Sequence, residues 1–353
     1  MIKILTIDDE GEWSEFLEMI KPDSRDIYFT PQYYKLYQNS GSGKACCFVF
    51  TDGNSVGLYP FLRNSINAIG YNLDSEYYDI QGAYGYNGII ASTDDQLFKN
   101  KMLKELGYYC INENIVAEFT RFHPLLRNFS GYEEYFSMVY DRQTVFFNLQ
   151  SSLDEVFEKF QYSTKRQIRR AVNRFGMTTE IKNNGGDYTD EVYDLYCKTM
   201  DRVEAPGDLY FSHSFFNEML SLKETVLFRA LINGSLVAFI IGFGSNGYFH
   251  GHLSGSLREA IYMSPNSLLY WEMIKYAKEH GYKFLHIGGG DTAEAENSLL
   301  KFKMNFSKET AEFWIGKKIH NSEVYSNVIG QWKKKQRSSS GKVNENILLK
   351  YRY

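Results

Sequence analysis

The chain has 353 residues, of which 43% are hydrophobic and 23% charged, a globular composition that excludes a disordered chain. At roughly 150 residues per domain, this length predicts two domains. The 39 Lys and Arg residues against 43 Asp and Glu residues give a formal net charge of −4, which argues against a general nucleic-acid coat but not against a local basic patch. Aromatic residues reach 16%, enough ring area for cores and for clefts that stack on sugars or bases.

Targeting signals are absent from the sequence pattern. No run of 18 apolar residues is present, so we expect no transmembrane helix and no stable membrane insertion. The first residues, MIKILTIDDEGEW, lack the long apolar region and cleavage site of a signal peptide. The cysteines show no C-x-x-C spacing, and neighbouring Cys46 and Cys47 would point to opposite faces of a strand. We therefore expect reduced thiols and a cytoplasmic protein.

The first half of the chain alternates strand-like and helix-like patterns. Strands are predicted at IKILTI, ACCFVF, SVGLYPFL, the glycine- and tyrosine-rich YDIQGAYGYNGII, and IVAEFTRF. Helices are predicted near 12–20, 33–38 and 95–106. Asp52-Gly53 predicts the turn between the second and third of these strands.

The second half has clearer patterns. Its predicted strands are MTTEIK, TVLFRALI, SLVAFIIGFG, YFHGHLSG, KFLHI and AEFWIG. Its predicted helices cover 154–160, 164–175, 187–202, 214–222, SPNSLLYWEMIKYAKEHG and SLLKFKMNF. Asn233-Gly234 and Asn246-Gly247 between apolar runs predict tight hairpins, because both turn positions need positive φ. Thr164, with Gln167 three residues later, predicts a capping box.

From Met177 the element order is β-α-α-β-β-β-α-β-α-β, which is the order of GNAT acyltransferases, and the first half echoes it. We therefore predict an α/β fold of mixed sheets in two tandem GNAT-like domains. Residues 1–150 would form the acceptor side, 151–330 the acyl-donor side, and 331–353 a basic tail. The tail holds seven basic residues and one acidic residue. It either frays into solvent or contacts nucleic acid or an anionic surface.

Five stretches resemble the FemA/FemB/FemX-like branch of the GNAT superfamily. They are GAYGYNG at 82–88, RFHPLLRN at 121–128, HLSG after an aromatic strand, HIGGG after WEMIKYAKEHG, and SLLKFKMNF. The resemblance covers most of the chain, roughly residues 1–330. The resemblance implies two GNAT-like domains that transfer aminoacyl groups from aminoacyl-tRNA to amines of peptidoglycan precursors. Relatives of this branch are labelled acetyl- or acyltransferases and occur among cell-envelope polysaccharide enzymes.

Two features depart from these families. The long helical-hairpin arm of some Fem proteins has no counterpart in the pattern of the second half. Acetyl-CoA-binding GNATs wrap the pyrophosphate in an R/Q-x-x-G-x-G/A loop, and here SGSLREAIYMSPN lacks the second and third glycines. The acyl donor therefore stays open between aminoacyl-tRNA and acyl-CoA. We expect no tightly bound cofactor.

Lys303, within FKMNF, is the first catalytic candidate. Acyl transfer builds an oxyanion, and a fixed cation beside it lowers the barrier. The resemblance places the residue thought to serve that role at this F-K pair. The alternative is a solvated lysine on an amphipathic helix. Phe302 is expected in the core or as a wall of the acyl channel.

Three histidines are candidates for the base that accepts the proton of the attacking amine. His250 and His252 stand two apart in a strand and would share one face, and His286 lies in the next strand. We favour His252, then His286, as the base, and place His250 among the substrate-binding residues. The alternative is a structural hydrogen bond at the strand end. These histidines with Asp291 resemble a zinc set, but GNAT chemistry needs no metal and we expect none.

Glycines and basic residues supply two further candidate features. Gly288, Gly289 and Gly290 either let a ligand approach the backbone or form a tight strand-to-helix turn. The predicted helix 164–175 carries a basic face, which either meets phosphates of tRNA or of a diphosphate-linked acceptor, or is solvated and balanced by nearby acids. That face consists of Lys165, Arg166, Arg169, Arg170 and Arg174.

The acceptor is expected to bind through Arg202 and tyrosines of the first domain. The resemblance implies that the arginine of a T-x-x-R pattern contacts acceptor phosphates, and Thr199-x-x-Arg202 matches this pattern. Its expected aromatic partner is missing, and Tyr210 can substitute. Tyr84 and Tyr86 can stack on a sugar, with glycines between them keeping the cleft open, or can simply pack on a glycine-rich edge strand.

These features together predict an N-acyltransferase that moves an acyl or aminoacyl group to an amine of a cell-envelope precursor. The acceptor would be a peptidoglycan precursor or a nucleotide-linked sugar, with tRNA as a further partner. The alternatives are an acetyl- or acyl-CoA-dependent N-acetyltransferase of polysaccharide biosynthesis and a non-catalytic module that binds a glycan precursor. The sequence leaves the oligomeric state open.

Overall fold

The computed structural model describes residues 1–294, 296–336 and 347–352. The chain divides into two compact units, unit 1 with Met1–Asp141 and Phe313–Tyr353, and unit 2 with Arg142–Glu312. These bounds differ from the expected 1–150 and 151–330. The C-terminal segment belongs to unit 1, because its strand pairs with a strand of that unit.

Unit 1 begins with the chain and is built on a mixed sheet. Its elements are β1 (Ile2–Thr6), α1 (Glu10–Glu18), α2 (Pro31–Asn39), β2 (Lys44–Asp52), β3 (Ser55–Ser65), β4 (Tyr78–Gln81), β5 (Ile90–Ala91), α3 (Gln96–Asn112) and β6 (Ile115–Arg121). Strands β1 to β4 pair antiparallel in chain order, β4 and β6 pair parallel, and β5 pairs with β3. The parallel pair arises because α3 forms the crossover between its strands.

Unit 2 repeats this arrangement. Its elements are β7 (Ser137–Asn148, which begins in unit 1), α4 (Leu153–Glu158), α5 (Tyr162–Asn173), β8 (Thr178–Asn183), α6 (Thr189–Arg202), α7 (His213–Ser221), β9 (Thr225–Ile232), β10 (Ser235–Ser245), β11 (Tyr248–Ser256), α8 (Pro265–Glu279), β12 (Phe284–Gly289) and α9 (Ser298–Met304). Strands β8 to β11 pair antiparallel, β11 and β12 pair parallel, and β7 pairs antiparallel with β12. Strand β13 (Thr310–Ile319) and helix α10 (Ser322–Gln336) follow α9, and β13 pairs with β6 through its unit 1 half.

The predicted α/β fold with two GNAT-like copies is therefore confirmed. In each unit four antiparallel strands are followed by one parallel pair and then one antiparallel strand. Both Asn-Gly hairpins hold as predicted, with φ of 51° and 79° at Asn233 and Gly234 and of 47° and 87° at Asn246 and Gly247. Strand β9 covers the predicted residues from end to end.

Two local predictions in these units were wrong. The glycine-rich stretch YDIQGAYGYNGII is not one strand: β4 ends at Gln81, and a loop follows before the two-residue β5. Helix α5 has no capping box at Thr164, because the helix begins two residues earlier and Thr164 is buried inside it. The capping box lies instead at α4, where Ser152 and Glu155 exchange side-chain and backbone hydrogen bonds.

The C-terminal end is docked rather than frayed. Residues 333–336 continue α10, residues 337–346 lie outside the described part of the chain, and the last described residues pack in a core cluster of unit 1. The Tyr351 hydroxyl donates to Asp79 Oδ2 at 2.8 Å, and Arg352 Nε donates to both Asp79 oxygens at 2.9 and 2.8 Å. Because Asp79 is buried, this pairing ties the chain end to β4.

Two further observations concern cysteines and membrane spans. All four cysteines are free, and Cys46, Cys47 and Cys110 are buried. In the described ranges, none of the helices combines the length and the apolar character needed to cross a bilayer.

Candidate active site

The two parallel strands of unit 2 separate towards their carboxyl ends. The register pairs Tyr248 with Phe284, Phe249 with Leu285 and His250 with His286, and no later pair joins β11 to β12 in the described residues. Strand β12 turns instead to β7, with a register shift between His286 and Gly288. A ligand that enters here meets backbone groups of β11 that pair with no strand on the β12 side.

The candidate histidines cluster where the strands separate. The rings of His250 and His286 lie 5.5 Å apart between centroids, and both residues are buried. The register of β10 and β11 shifts between Ile241–Leu253 and Gly242–Gly251, which places His252 in a bulge. Its ring centroid lies 4.6 Å from that of Phe243.

The preference for His252 as the base is not supported by its environment. Burial, together with the neighbouring His250, lowers the pKa of His252 to about 3. A histidine with such a pKa is a weak proton acceptor near neutral pH. His286 stays a candidate by position. Asp291 accepts a hydrogen bond from Asn297, and in the described residues it joins no three-ligand group with these histidines.

Lys303 lies on α9, its ammonium reaches the end of β12, and it is not a solvated surface lysine. Its residue is 8% exposed, and its Nζ donates to the Gly289 carbonyl at 2.7 Å. Burial and the nearby Arg142 lower the pKa of Lys303 to about 7, while Asp291 acts in the opposite direction. The Lys303 side chain can therefore gain or lose a proton near neutral pH, at the place where β11 and β12 separate.

Arg142 and Asn297 hold the backbone around Lys303 in place. The sequence did not point to either residue. Arg142 Nη1 donates to the Gly290 carbonyl at 2.7 Å. Asn297 caps α9, its Oδ1 accepting from the backbone N–H groups of Leu299 and Leu300 at 3.0 and 3.1 Å. Asn before SLLKFKM is a recognisable N-cap signal, whereas nothing local marks Arg142.

Gly288 and Gly289 are the last residues of β12 and Gly290 follows them, whereas α9 begins only at Ser298, so the three glycines do not form a tight strand-to-helix turn. Gly288 has φ of 73°, and a Cβ there would lie 3.3 Å from Lys303 Nζ. A Cβ on Gly289 would lie 2.7 Å from the backbone oxygen of Gln143, and one on Gly290 would lie 2.4 Å from Asn297 Oδ1. Each glycine is thus required by packing or by its backbone angle, so a bulky residue at Gly289 would not simply block a cleft.

We expect Gly289→Ala to destabilise unit 2, because the new methyl group meets the backbone of β7, which cannot move without breaking its pairing with β12. The loss should be about 1–3 kcal/mol, the usual range for overpacking. The matched control is Gly107→Ala in α3, where a Cβ meets open space and a gain of about 0.4–1 kcal/mol is expected. Equal melting temperatures for the two variants would contradict this assignment.

Phe302 belongs to the core side of α9. Its ring lies 5.7 Å from that of Tyr270 and 5.3 Å from that of Phe306, and it packs against the hydrophobic cluster of unit 2. This contact favours the core interpretation over a channel wall.

A second feature of unit 2 is a cavity of about 450 Å³ beside the segment that follows β11. Its lining residues come from α5 and from the turn before α8: Tyr162, Ser163, Arg166, Gln167, Arg170, Ile261, Tyr262 and Ser264. The Nε atom of Arg170 is buried and has no hydrogen-bond partner in the described residues. On the same helix, Lys165 pairs with Glu158 at 2.6 Å. The basic face is therefore only partly balanced by acids, and two of its arginines face this cavity.

Arg202 secures α6 to the end of β11. Its Nη1 donates to the Ser256 carbonyl, and Ser256 N donates to Thr199 Oγ1 at 3.1 Å. The T-x-x-R pattern therefore has a structural task in unit 2. Tyr210 donates to Asp201 Oδ1 at 3.0 Å. The part of Arg202 and Tyr210 in acceptor binding stays a prediction.

Tyr84 and Tyr86 lie in the loop after β4 of unit 1. The Tyr84 carbonyl accepts a hydrogen bond from the Tyr33 hydroxyl, and the Tyr86 ring packs edge-on against Tyr28 at 5.3 Å. Between them, Gly85 has φ of 104°, and a Cβ there would lie 2.5 Å from the Tyr28 ring. This glycine allows close packing of a ring, so it does not hold a cleft open as expected. Sugar stacking by the two tyrosines stays a prediction.

Comparison with known proteins agrees with this geometry. Residues 158–303 match the acetyltransferase (GNAT) domain family. No curated protein matches the chain in sequence. The crystal structure of FemX is 14% identical with a TM-score of 0.70, and the match covers 92% of this chain and 99% of FemX. L-PGS from Bacillus licheniformis is 11% identical with a TM-score of 0.57, covering 96% of this chain and 100% of that chain.

A tandem GNAT protein from the clavulanic acid biosynthesis pathway is 8% identical with a TM-score of 0.50, and the match covers 90% of this chain and 98% of that chain. At such low identities, these structural matches show the fold alone. The GNAT sequence match covers the separating strands, the arginine-lined cavity and Lys303. The chain therefore contains a GNAT-type acetyltransferase domain within a tandem GNAT fold, and it is an acyltransferase.

Proposed function

We propose that the protein transfers an aminoacyl or acyl group to an amine of a cell-envelope precursor in the cytoplasm. The single observation that carries the proposal is Lys303, a buried lysine fixed on the Gly289 carbonyl where β11 and β12 separate. The resemblance of five sequence stretches to the FemA/FemB/FemX-like branch supports a precursor of the peptidoglycan type, and the fold shared with FemX agrees with that resemblance. A GNAT-like reaction needs alignment, a proton acceptor and an oxyanion stabiliser, and no covalent enzyme intermediate.

The acyl carbonyl would lie between the separating strands. Backbone groups of β11 beyond His250 have no partner on β12 and can bond an amide or ester there. The Lys303 ammonium, which α9 holds against the end of β12, then stabilises the negative charge that develops on the carbonyl oxygen. His286, buried beside His250, is the proton acceptor that fits best once His252 is set aside.

The donor's phosphate-bearing part would bind the cavity lined by Arg166 and Arg170. The segment after β11 lacks the glycines that would cradle a pyrophosphate by backbone N–H groups. Its residues 258–263 instead form a 3₁₀ turn, and guanidinium groups from α5 face the cavity. Side-chain recognition of this kind suits phosphates of an aminoacyl-tRNA, which we propose as the donor.

Acyl-CoA is the second candidate donor, favoured by the match of residues 158–303 to a family named for acetyl transfer. Its diphosphate can occupy the same arginine-lined cavity. The two donors differ in how many phosphates they present, so the salt dependence of binding separates them.

The test is donor binding by wild type and by Arg166→Ala/Arg170→Ala over a range of salt concentrations. The double variant should weaken binding of the true donor about 10- to 100-fold, because two charge-assisted contacts are lost. For tRNA the salt slope should also fall by about one for each lost phosphate contact.

Arg174→Ala is the matched control for this test. It removes one positive charge from the same segment, where the double variant removes two, but Arg174 does not line the cavity. Equal donor affinity for the double variant, the control and wild type would contradict the proposed donor site. Weakened binding of CoA but not of tRNA would identify the acyl-CoA enzyme.

A further inference from the structure

Unit 1 contains a buried group of three chemically distinct side chains that come from three different segments of the chain. Cys110 lies in α3, Glu118 in β6, and His320 directly after β13. One ligand atom from each lies within 4.8 Å of the other two. Glu118 Oε1 and His320 Nε2 are 3.7 Å apart, and their side chains are 0% and 2% exposed.

The Glu118 carboxylate is buried beside the Tyr135 side chain and the His320 ring. Among the described residues, no group satisfies full hydrogen-bonding geometry to either of its oxygens. Lys318 stands directly opposite in the register of β6 and β13, but its Nζ donates to the Tyr135 carbonyl at 2.9 Å and lies 3.5 Å from that ring's centroid. An unpaired buried carboxylate is costly, so such groups are normally paired or coordinate metal ions.

The imidazole completes the same pattern. His320 Nε2 is also buried without a hydrogen-bond partner in the described residues, and it faces the carboxylate. The backbone of His320 is fixed, because its N–H donates to the Val116 carbonyl at 2.9 Å. Two unsatisfied buried ligand atoms and one thiol thus converge on a single point held by β6 and α3.

We propose that Cys110, Glu118 and His320 bind a zinc ion. Thiolate, imidazole and carboxylate are the ligand types of protein zinc sites, and a tetrahedral ion with bonds of about 2.0–2.3 Å holds its ligand atoms about 3.3–3.7 Å apart. The observed distance of 3.7 Å between Glu118 and His320 lies at the edge of that range. A sulfur ligand favours zinc over magnesium or calcium.

The site is structural in character. Its ligands are buried, and the ion would join α3, β6 and the segment after β13 within unit 1. A fourth ligand is needed for a closed site, and the buried Tyr135 hydroxyl is close by. The Tyr135 side chain interacts with the Glu118 carboxylate, and its ring lies 6.3 Å from that of His320. A trapped water is the other source of a fourth oxygen.

The test begins with the untagged full-length chain, purified natively and analysed for bound metals by mass spectrometry. We expect about one zinc per chain, or uptake of added Zn²⁺ with a rise in melting temperature that Mg²⁺ does not produce. Added Co²⁺ as the probe should give a thiolate-to-cobalt charge-transfer band, because a cysteine is a ligand. A chain with no zinc, no cobalt band and no Zn²⁺-dependent melting shift would overturn the proposal.

Variants then locate the ion. Cys110→Ser should abolish the cobalt band and Glu118→Gln should weaken metal retention at least tenfold, the lower scale for losing a metal-site partner. Cys197→Ser is the control, since Cys197 lies outside the cluster, and it should keep both. A folded Cys110→Ser variant that retains its zinc, or a band lost only in Cys197→Ser, would overturn the site. If the cluster variants fail to fold, the wild-type measurements still decide.

Discussion

Lys303→Met should lower kcat about 10²–10³-fold, the scale for losing one oxyanion donor, while KM for donor and acceptor changes little. The ammonium acts on charge that develops only in the transition state, so ground-state binding does not depend on it. Both kcat and KM are measured by steady-state kinetics with an amine acceptor and with the donor whose acyl group the enzyme transfers.

The pH profile of kcat should carry the signature of this lysine. Its pKa is about 7 in the folded protein, so the stabilising charge is present below that pH and is lost as pH rises through it. Wild type should therefore show an alkaline decline that the Met variant lacks. A kcat that rises through the same range, and does so only in wild type, would indicate a neutral lysine acting as a base.

The same residue links stability to pH. The folded pKa of about 7 lies below the ordinary 10.5, so the unfolded chain binds more protons between these values and wild-type stability rises with pH there. Relative to Lys303→Met, wild type should gain about 2 kcal/mol between about pH 6.5 and about pH 9. Denaturant unfolding at the two pH values measures this gain.

Lys301→Met is the matched control for both experiments. Lys301 lies on the same helix, is exposed and pairs with Glu296. This variant should keep its kcat and its pH dependence of stability. Full activity in Lys303→Met, or an equal loss of kcat in Lys303→Met and Lys301→Met, would show that Lys303 takes no part in the reaction.

Arg352→Ala should destabilise unit 1 by about 3–5 kcal/mol, the usual cost of leaving one partner of a buried ion pair alone. Arg352 is the charged partner of Asp79, whose side chain is 0% exposed, and it also donates to the Asn64 and Ser65 carbonyls. Thermal and denaturant unfolding of the full chain measure the loss.

The loss in free energy of unfolding caused by Arg352→Ala should become smaller as pH falls. Burial raises the pKa of Asp79 and the arginine opposes that rise, so removing Arg352 raises the pKa further. The folded variant then takes up a proton at a pH where the unfolded chain has not, which restores stability on the acidic side. Lys334→Ala, an exposed residue of α10, is the control that should change little. Coincident melting of the two variants would mean that the docked chain end contributes nothing.

The sequence predicted the features that local chemistry determines. Asn233-Gly234 and Asn246-Gly247 require positive φ at both positions, and the flanking strands alternate or run apolar, so hairpins and element order followed directly. The strand order with one parallel pair followed in turn from the helix between β11 and β12.

Features that depend on distant partners were not predictable in this way. The basic residues near the C-terminus have the pattern of a solvated tail. Only the structure shows that Arg352 pairs with the buried Asp79 of β4. The glycine-rich stretch after Gln81 has strand composition, but Gly85 serves the packing of Tyr28. His252 loses its proton affinity through burial, and the environment of Lys303 depends on Arg142, which lies far away in sequence.

The most direct test of the central claim is mass analysis of the acceptor after incubation with purified protein. Aminoacyl-tRNA and acyl-CoA are offered as separate donors, with an amine-bearing, nucleotide-linked peptidoglycan precursor as acceptor. We predict that wild type adds the mass of one acyl group to the acceptor amine with one of the donors, and that Lys303→Met adds far less in the same time. A precursor that binds tightly but is never acylated, with either donor, would contradict the acyltransferase account and identify a precursor-binding protein.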